Sequence, residues 1–417
     1  MNTTRAFSRV LRLAAVSGAL AALIGQNPPA GSAAPAFFQS TPFIAVPNLA
    51  AYWNLDETTG TTSNDLSGNN NTGTFWNNPT ISNPGDVSPV PVGNQRSLIF
   101  NATGSTMRVN VNDSASLRIS GPMTVSAWVK PSAYTPSYQK GVIEKWTDGA
   151  TDIDGYMFRL GWSANGNNVP TFTLGNGTTR LGVAGPPELV NGTWTHVAGV
   201  YDGTDMLMYV NGTLVGTTAN AGAVVPTAAN TRELHLGSDY GTEVFTGNID
   251  DARIYNRGLT AVEVGILKDG QLAPTGVTAA PIPNGNRISW TAPAVPATGI
   301  SYAILFGASP GNYTGVINVA GGATTYDDLA APPGVATYYT VVAVTVMTSP
   351  NSTEVSSTPG PAGPPPPPPP PRTEKVGNRH MCGCDTVSST SGLGGLLGAV
   401  LMATALGTAS RRRRGKA

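Results

Sequence analysis

The runs Met123-Thr-Val-Ser-Ala-Trp-Val-Lys130 and Trp194-Thr-His-Val-Ala-Gly-Val-Tyr201 decide the fold class. Both are rich in β-branched and aromatic residues, which fit a pleated, half-buried surface. Asp202-Gly203 closes the second run, and Met206–Val210 follows before Asn211-Gly212. Asn or Asp followed by Gly accepts the positive φ angles of a type I′ hairpin. The same grammar extends outward from this block. Ser97–Asn101 reads as another strand, and no long helical periodicity intervenes. Short β-rich runs separated by turn residues every ~8–12 positions predict an all-β sandwich.

Composition narrows the function. The chain has 417 residues, 24 Lys+Arg against 24 Asp+Glu, and only 12% charged residues. That argues against a nucleic-acid partner, since soluble domains average about 25% charged residues and nucleic-acid binders add a basic excess. The neutral sum hides a segregation. Arg5, Arg9, Arg12, Arg411 to Arg414 and Lys416 occupy the two ends; without these eight, 16 bases face 24 acids, a net of −8 for the body.

Each end reads as an address. Three arginines, a run from Leu11 to Ile24 that is apolar after Arg12, and the small residues Ser32-Ala-Ala34 or Ala34-Pro-Ala36 follow the pattern of a secretory signal peptide, assigned to residues 1–34. At the other end a linker over 359–381 contains eight consecutive prolines, Pro364–Pro371. Such a run favours stiff, extended polyproline II. Residues 382–417 hold Cys382-Gly-Cys384, an uncharged apolar stretch Leu393–Ala409 and the arginine cluster. That stretch suits a short membrane helix, and the arginines place the chain's end in the cytoplasm.

The two cysteines are the only ones, so the body has no disulfide. A disulfide across one residue would be strained. A zinc site from His380, Cys382, Cys384 and Asp385 departs from the usual ligand spacing. Processing or lipid attachment is the favoured reading. This tail resembles the C-terminal sorting tails of Gram-negative surface proteins, particularly the myxobacterial type. The resemblance implies that a membrane peptidase removes the helix and leaves the protein anchored at the cell surface through a cysteine.

Six ordered motifs carry a stronger resemblance. They are Ala51-Tyr-Trp-Asn-Leu-Asp-Glu57, Asp65-Leu-Ser-Gly-Asn-Asn-Asn-Thr-Gly-Thr74, the two runs quoted above, Tyr209-Val-Asn-Gly212 and Gly247-Asn-Ile-Asp-Asp-Ala-Arg-Ile-Tyr-Asn-Arg-Gly-Leu259. Residues 48–268 are similar to laminin-G-like members of the concanavalin A-like lectin/glucanase superfamily, which implies a jelly roll of two antiparallel sheets. Residues 274–358, with Trp290, a strand from Ser301 to Phe306 and Thr337–Val344, resemble a fibronectin type III domain and read as a spacer. In the usual register the corner tyrosine would fall on Thr337, with Tyr338 and Tyr339 beside it.

Catalytic motifs are missing from the sequence. Glucanases of the superfamily carry Glu-x-Asp-x-Glu, whose carboxylates act as nucleophile and acid. Here the nearest pairs are Asp152-Ile-Asp154 and Asp250-Asp251, and neither fits that spacing. His196 sits inside a strand run and reads as structural. Asp65-Leu-Ser-Gly-Asn-Asn-Asn-Thr-Gly73 is an oxygen-rich loop of the kind hard divalent ions favour. The resemblance implies that Asp65 and Asp250 share one calcium ion, with Asp56 a third candidate. The alternative is an Asx turn at Asp65 and a strand-end cap at Asp250. Trp76, Trp146 and Trp162 lie in polar, loop-like stretches. Trp146, Trp162 and Asp152 are the expected sugar contacts.

The expectation is therefore an all-β, calcium-stabilised, non-catalytic lectin-like protein: a laminin-G-like jelly roll, a fibronectin type III-like sandwich, a signal peptide and a C-terminal membrane helix. It would be exported to a bacterial cell surface or outer membrane, anchored there or released, and would bind polysaccharide or a cell-surface glycan or protein in adhesion. The alternatives are a structural envelope protein and, less favoured, a glycoside hydrolase or lyase.

Overall fold

A computed structural model describes residues 42–360 except 91–93, 102–106, 133–139, 149–152, 163–165, 221, 239–243 and 296–298. The segments expected to be a signal peptide and a sorting tail with Cys382 and Cys384, and most of the proline-rich linker, lie outside these residues. Among the described residues no helix is long and apolar enough to cross a membrane.

The quoted runs form neighbouring strands, Met123–Pro131 and Thr195–Tyr201, paired antiparallel from Met123 opposite Tyr201 to Val129 opposite Thr195. They lie in a first sheet of eight strands. Strands Asp205–Val210 and Thr213–Ala219 continue it on one side, and Gly247–Tyr255 and Leu98–Phe100 on the other. Asn211 (φ 48°) and Gly212 (φ 77°) make the hairpin turn, the conformation a type I′ turn requires.

A second eight-stranded sheet faces the first. Its centre is built from Lys140–Asp148, Ile153–Trp162 and Gly166–Gly177, with Leu234–Leu236, Arg108–Val111 and Gly73–Trp76 following on one flank. Alternation places Met123, Val125, Ala127 and Val129 of the first sheet against Tyr156, Phe158, Leu160, Phe172 and Leu174 of the second in one buried core. Side chains at the intervening positions of the second sheet point away from that core.

The outer face of the first sheet is buried as well. Helix Ala261–Asp269 lies on it through Val264, Ile266 and Leu267, packed with Ala198, Val200 and Tyr255. The helix starts at a capping box: Glu263 N–H donates to the Thr260 hydroxyl, and the Glu263 carboxylate accepts from Thr260 N–H. Thr-x-x-Glu satisfies two otherwise unpaired backbone donors.

Residues 275–357 form a smaller sandwich of a three-stranded and a four-stranded sheet around Trp290, Tyr302 and Tyr339. The buried Tyr339 hydroxyl donates to Asp328 at 2.8 Å and accepts from Asn286 at 3.0 Å.

Candidate functional site

The outward face of the second sheet carries a mostly polar row across its width. Opposed residues run Thr74, Asn110, His235, Glu144, Met157 and Thr173. Arg159 projects beside this row and grips Glu144 with two bonds, Nε to Oε1 at 2.7 Å and Nη2 to Oε2 at 2.9 Å. Both side chains are buried, so the bidentate geometry makes the pair self-neutralising. A carboxylate so engaged is poorly placed to act as a nucleophile. At the flank, Trp76 stands opposite Arg108, whose guanidinium lies 5.2 Å from the indole ring and donates through Nε to Asn110 at 2.6 Å. Trp76 is 51% exposed. The row from Asn110 to Thr173 is covered or half-covered, so the face opens to solvent at the flank, at Thr74 and Trp76.

The three carboxylates expected at a cation divide. Asp65 Oδ1 accepts from the backbone N–H of Tyr52 at 3.0 Å and Ser67 at 2.9 Å, and Oδ2 from Ser67 Oγ and Asn71 N–H, both at 2.8 Å. It organises its own loop. Asp56 Oδ1 accepts from Gln95 N–H at 2.7 Å and Arg96 N–H at 2.8 Å. Asp250 Oδ2 accepts from Ser88 N–H and from the Asn94 amide, both at 2.8 Å. Asp250 and Asp56 therefore meet the same segment, around residues 94–96, whereas Asp65 shares no partner with either.

An implied calcium ion can be tested against this arrangement. Asp250 Oδ1, Asn94 Oδ1 and Glu57 Oε2 are buried oxygens without a hydrogen-bond partner. Asn94 touches Asp250, and Glu57 adjoins Asp56, so these oxygens sit on adjoining segments. Burial, and then the charge of Asp251, push the Asp250 pKa up to about 7 against the hydrogen bonds from Ser88 and Asn94. The orphaned Oδ1 atoms of Asp250 and of Asn94, which donates its amide to Asp250, are oxygens of the kind a hard divalent cation takes. Among the described residues no group of three or more His, Cys, Asp or Glu is gathered for a metal. Such a site would therefore draw on Asn94 as well as on acids.

A β-bulge creates the acidic pair. Asp250 lies opposite Trp128 and Arg253 opposite Ser126, which leaves one extra residue on the Gly247–Tyr255 strand. Asp251 takes φ 53° there and pairs with buried Arg253 at 2.8 Å. Aspartate tolerates the left-handed region better than most residues, and bulges re-aim side chains.

Residues 101–265 match the model of the Concanavalin A-like lectin/glucanases superfamily. No curated protein matches the chain. Among solved structures, domain 4 of AbnA, a GH43 extracellular arabinanase from Geobacillus stearothermophilus in complex with arabinotriose, is similar at 24% identity and TM-score 0.39, over 53% of this chain and 98% of that one. A heptameric SAP-like pentraxin from Limulus polyphemus aligns at 17% identity and TM-score 0.33, over 42% and 80%. The binding domain of botulinum neurotoxin DC in complex with SialylT aligns at 12% identity and TM-score 0.36, over 71% of each chain.

Within the first sandwich the expected sugar contacts fare unequally. Trp146 is 5% exposed, and a Cβ on Gly175 would lie 2.7 Å from its ring. Its face is thus covered by the sheet, and Gly175 is what makes room for it. Trp162 ends its strand opposite Gly166, and only its backbone is described. Asp152 lies outside the described residues. In the sequence Trp76 stands out by its polar surroundings. Its signal is the alternation Gly73-Thr-Phe-Trp76, which sends Phe75 inward and Trp76 outward. His196 is buried, and burial, then Arg253 and Lys268, lower its pKa to about 3. It stays neutral, as a structural histidine does.

Proposed function

We propose that the protein is an exported, surface-anchored and non-catalytic carbohydrate-binding protein whose first sandwich takes a polysaccharide or cell-surface glycan. The observation that carries this is Trp76, half-exposed beside Arg108 and Asn110 at the open flank of a polar sheet face. Sugar rings present C–H faces to aromatic planes and hydroxyls to a few convergent polar groups. The Arg159–Glu144 pair supports binding over hydrolysis, because the carboxylate is tied by two short bonds. In this proposal the signal peptide 1–34 exports the chain, the linker 359–381 spaces it, and residues 382–417 anchor it through Cys382 or Cys384 after a membrane peptidase acts. Calcium, held by Asp250 with Asn94 and Glu57, would stiffen the sandwich.

A glycan array with the exported protein, run with and without chelator, tests the reading. Retention of one sugar class that is lost in Trp76→Ala supports it. Silence across plant, bacterial and animal glycans would favour the structural envelope role, to which the coverage of Glu144, Arg159 and Thr173 lends weight. Release of reducing sugar from the same panel would revive the hydrolase.

A further inference from the structure

Lys140 stands apart from the other described lysines. Lys130, Lys145 and Lys268 each meet an aspartate. Lys140 is 2% exposed, and among the described residues its side-chain nitrogen makes one hydrogen bond, to Asn168 Oδ1 at 2.8 Å. Lysine is almost never fully buried unless it is paired. Burial, opposed by the charge of Glu188, lowers the Lys140 pKa, which enriches the neutral, nucleophilic amine.

Strand register explains the meeting. Lys140 and Pro170 both stand opposite Leu160, whose side chain lies in the core. Opposed residues of one row share a face of the sheet, so Lys140 is on the core side. Pairing breaks between Gly166 and Pro170, and Asn168 lies in that irregularity. Such bulges re-aim side chains. Asn168 is 4% exposed and its amide is held at both ends: Nδ2 donates to the Leu189 carbonyl at 3.2 Å and to Asn191 Oδ1 at 2.9 Å, while Oδ1 accepts from Lys140. A C=O bond is about 1.2 Å long, so Asn168 Cγ lies no farther than about 4 Å from the lysine nitrogen. Reacting atoms in a near-attack arrangement are about 3–3.5 Å apart.

We propose that Lys140 and Asn168 condense to an intramolecular isopeptide bond. The neutral Nζ attacks Cγ, the Cγ–Nδ2 bond breaks, one amine proton passes to Nδ2, and ammonia leaves. No oxidant or cofactor is consumed. The bond ties the Lys140–Asp148 strand to Gly166–Gly177 across Ile153–Trp162, a covalent brace in a body without cysteine. The proposal does not depend on the sugar reading.

The test is tryptic digestion of the denatured full chain followed by mass spectrometry. An isopeptide blocks cleavage after Lys140, and trypsin passes over Lys130-Pro131. Peptides Ile119–Lys145 and Leu160–Arg180 should therefore run predominantly as one species, lighter than their sum by one ammonia. Lys140→Met and Asn168→Ala should each abolish that species, and the parent's digest decides even where a variant does not fold. Separate peptides as the predominant form, with cleavage after Lys140, would overturn the proposal. So would a joined species lighter by one water in which Lys140 is linked to peptide Leu181–Arg232, since that places the bond on an acid such as Glu188.

Discussion

Asp65 and Asp250 show how one residue type is turned to opposite ends by its surroundings. Asp65 is a loop organiser with four hydrogen bonds. Asp65→Ala should lower stability by about 3 kcal/mol, since bonds to a charged group contribute about 1.5–3 kcal/mol each and are not additive. The loss, read by denaturant melts, should be the same with and without calcium. Asp250 has a folded pKa of about 7 against an ordinary 3.8. The folded chain therefore holds this proton more tightly than the unfolded chain. The stability linked to it is complete below pH ~4 and is lost as pH rises to ~7, up to about 4 kcal/mol for a shift of this size. In chelator the melting temperature should fall across that window, and Asp250→Asn should flatten the fall. Calcium at pH 7 should raise the parent's melting temperature and leave the Asn variant unmoved.

At the scale of elements, the two outward tryptophans of the second sheet separate by position. Trp146 lies at the centre, seated on Gly175; Trp76 lies at the flank, with 51% of its surface free. Trp146→Ala should cost stability, by about 3–5 kcal/mol for a large buried aromatic. Trp76→Ala should leave the melting temperature within a degree or two. It should weaken glycan retention up to about tenfold, the equivalent of an aromatic contact of about 1.5 kcal/mol. Frontal affinity chromatography and calorimetry on the same pair of variants separate the two effects. If Trp76→Ala retains glycan as the parent does, the flank is not the contact.

For the whole molecule, the expected spacer proves to be docked. Val346 of the second sandwich is buried among Leu49, Tyr255, Leu259 and Val264 of the first, and the Tyr255 hydroxyl donates to its carbonyl at 2.6 Å. Val46 joins this cluster and also the one around Leu305 and Val342. Gln271, in the connection, accepts from Thr345 at 2.8 Å and donates to Val295 at 3.3 Å. A shared apolar core couples unfolding. Calorimetry should record one transition for both sandwiches, and Val346→Asp, which buries a charge there, should split it into two. Two transitions in the parent would show that the junction carries little energy.

Much of this was legible in local chemistry. The strands Met123–Pro131, Thr195–Tyr201 and Thr337–Val344 and the Asn211-Gly212 turn depend on residues a few positions apart, and short-range rules read them directly; the short helix Ala261–Asp269 with its Thr260-x-x-Glu263 cap went unread among the strand runs. Which side chains converge is another matter. Ser88 and Asn94 reach Asp250 across about 160 residues of chain, and Tyr255 reaches Val346 across 91. The burial of Trp146 turns on a glycine 29 residues later that only strand register brings beneath it. The sequence by itself determined the all-β class, the turns, the charge segregation and the missing glucanase triplet. Only the tertiary structure decided that Asp250 rather than Asp65 keeps a free buried oxygen, that Trp76 rather than Trp146 faces solvent, and that the sandwiches share a core, because each depends on packing between segments far apart in the chain.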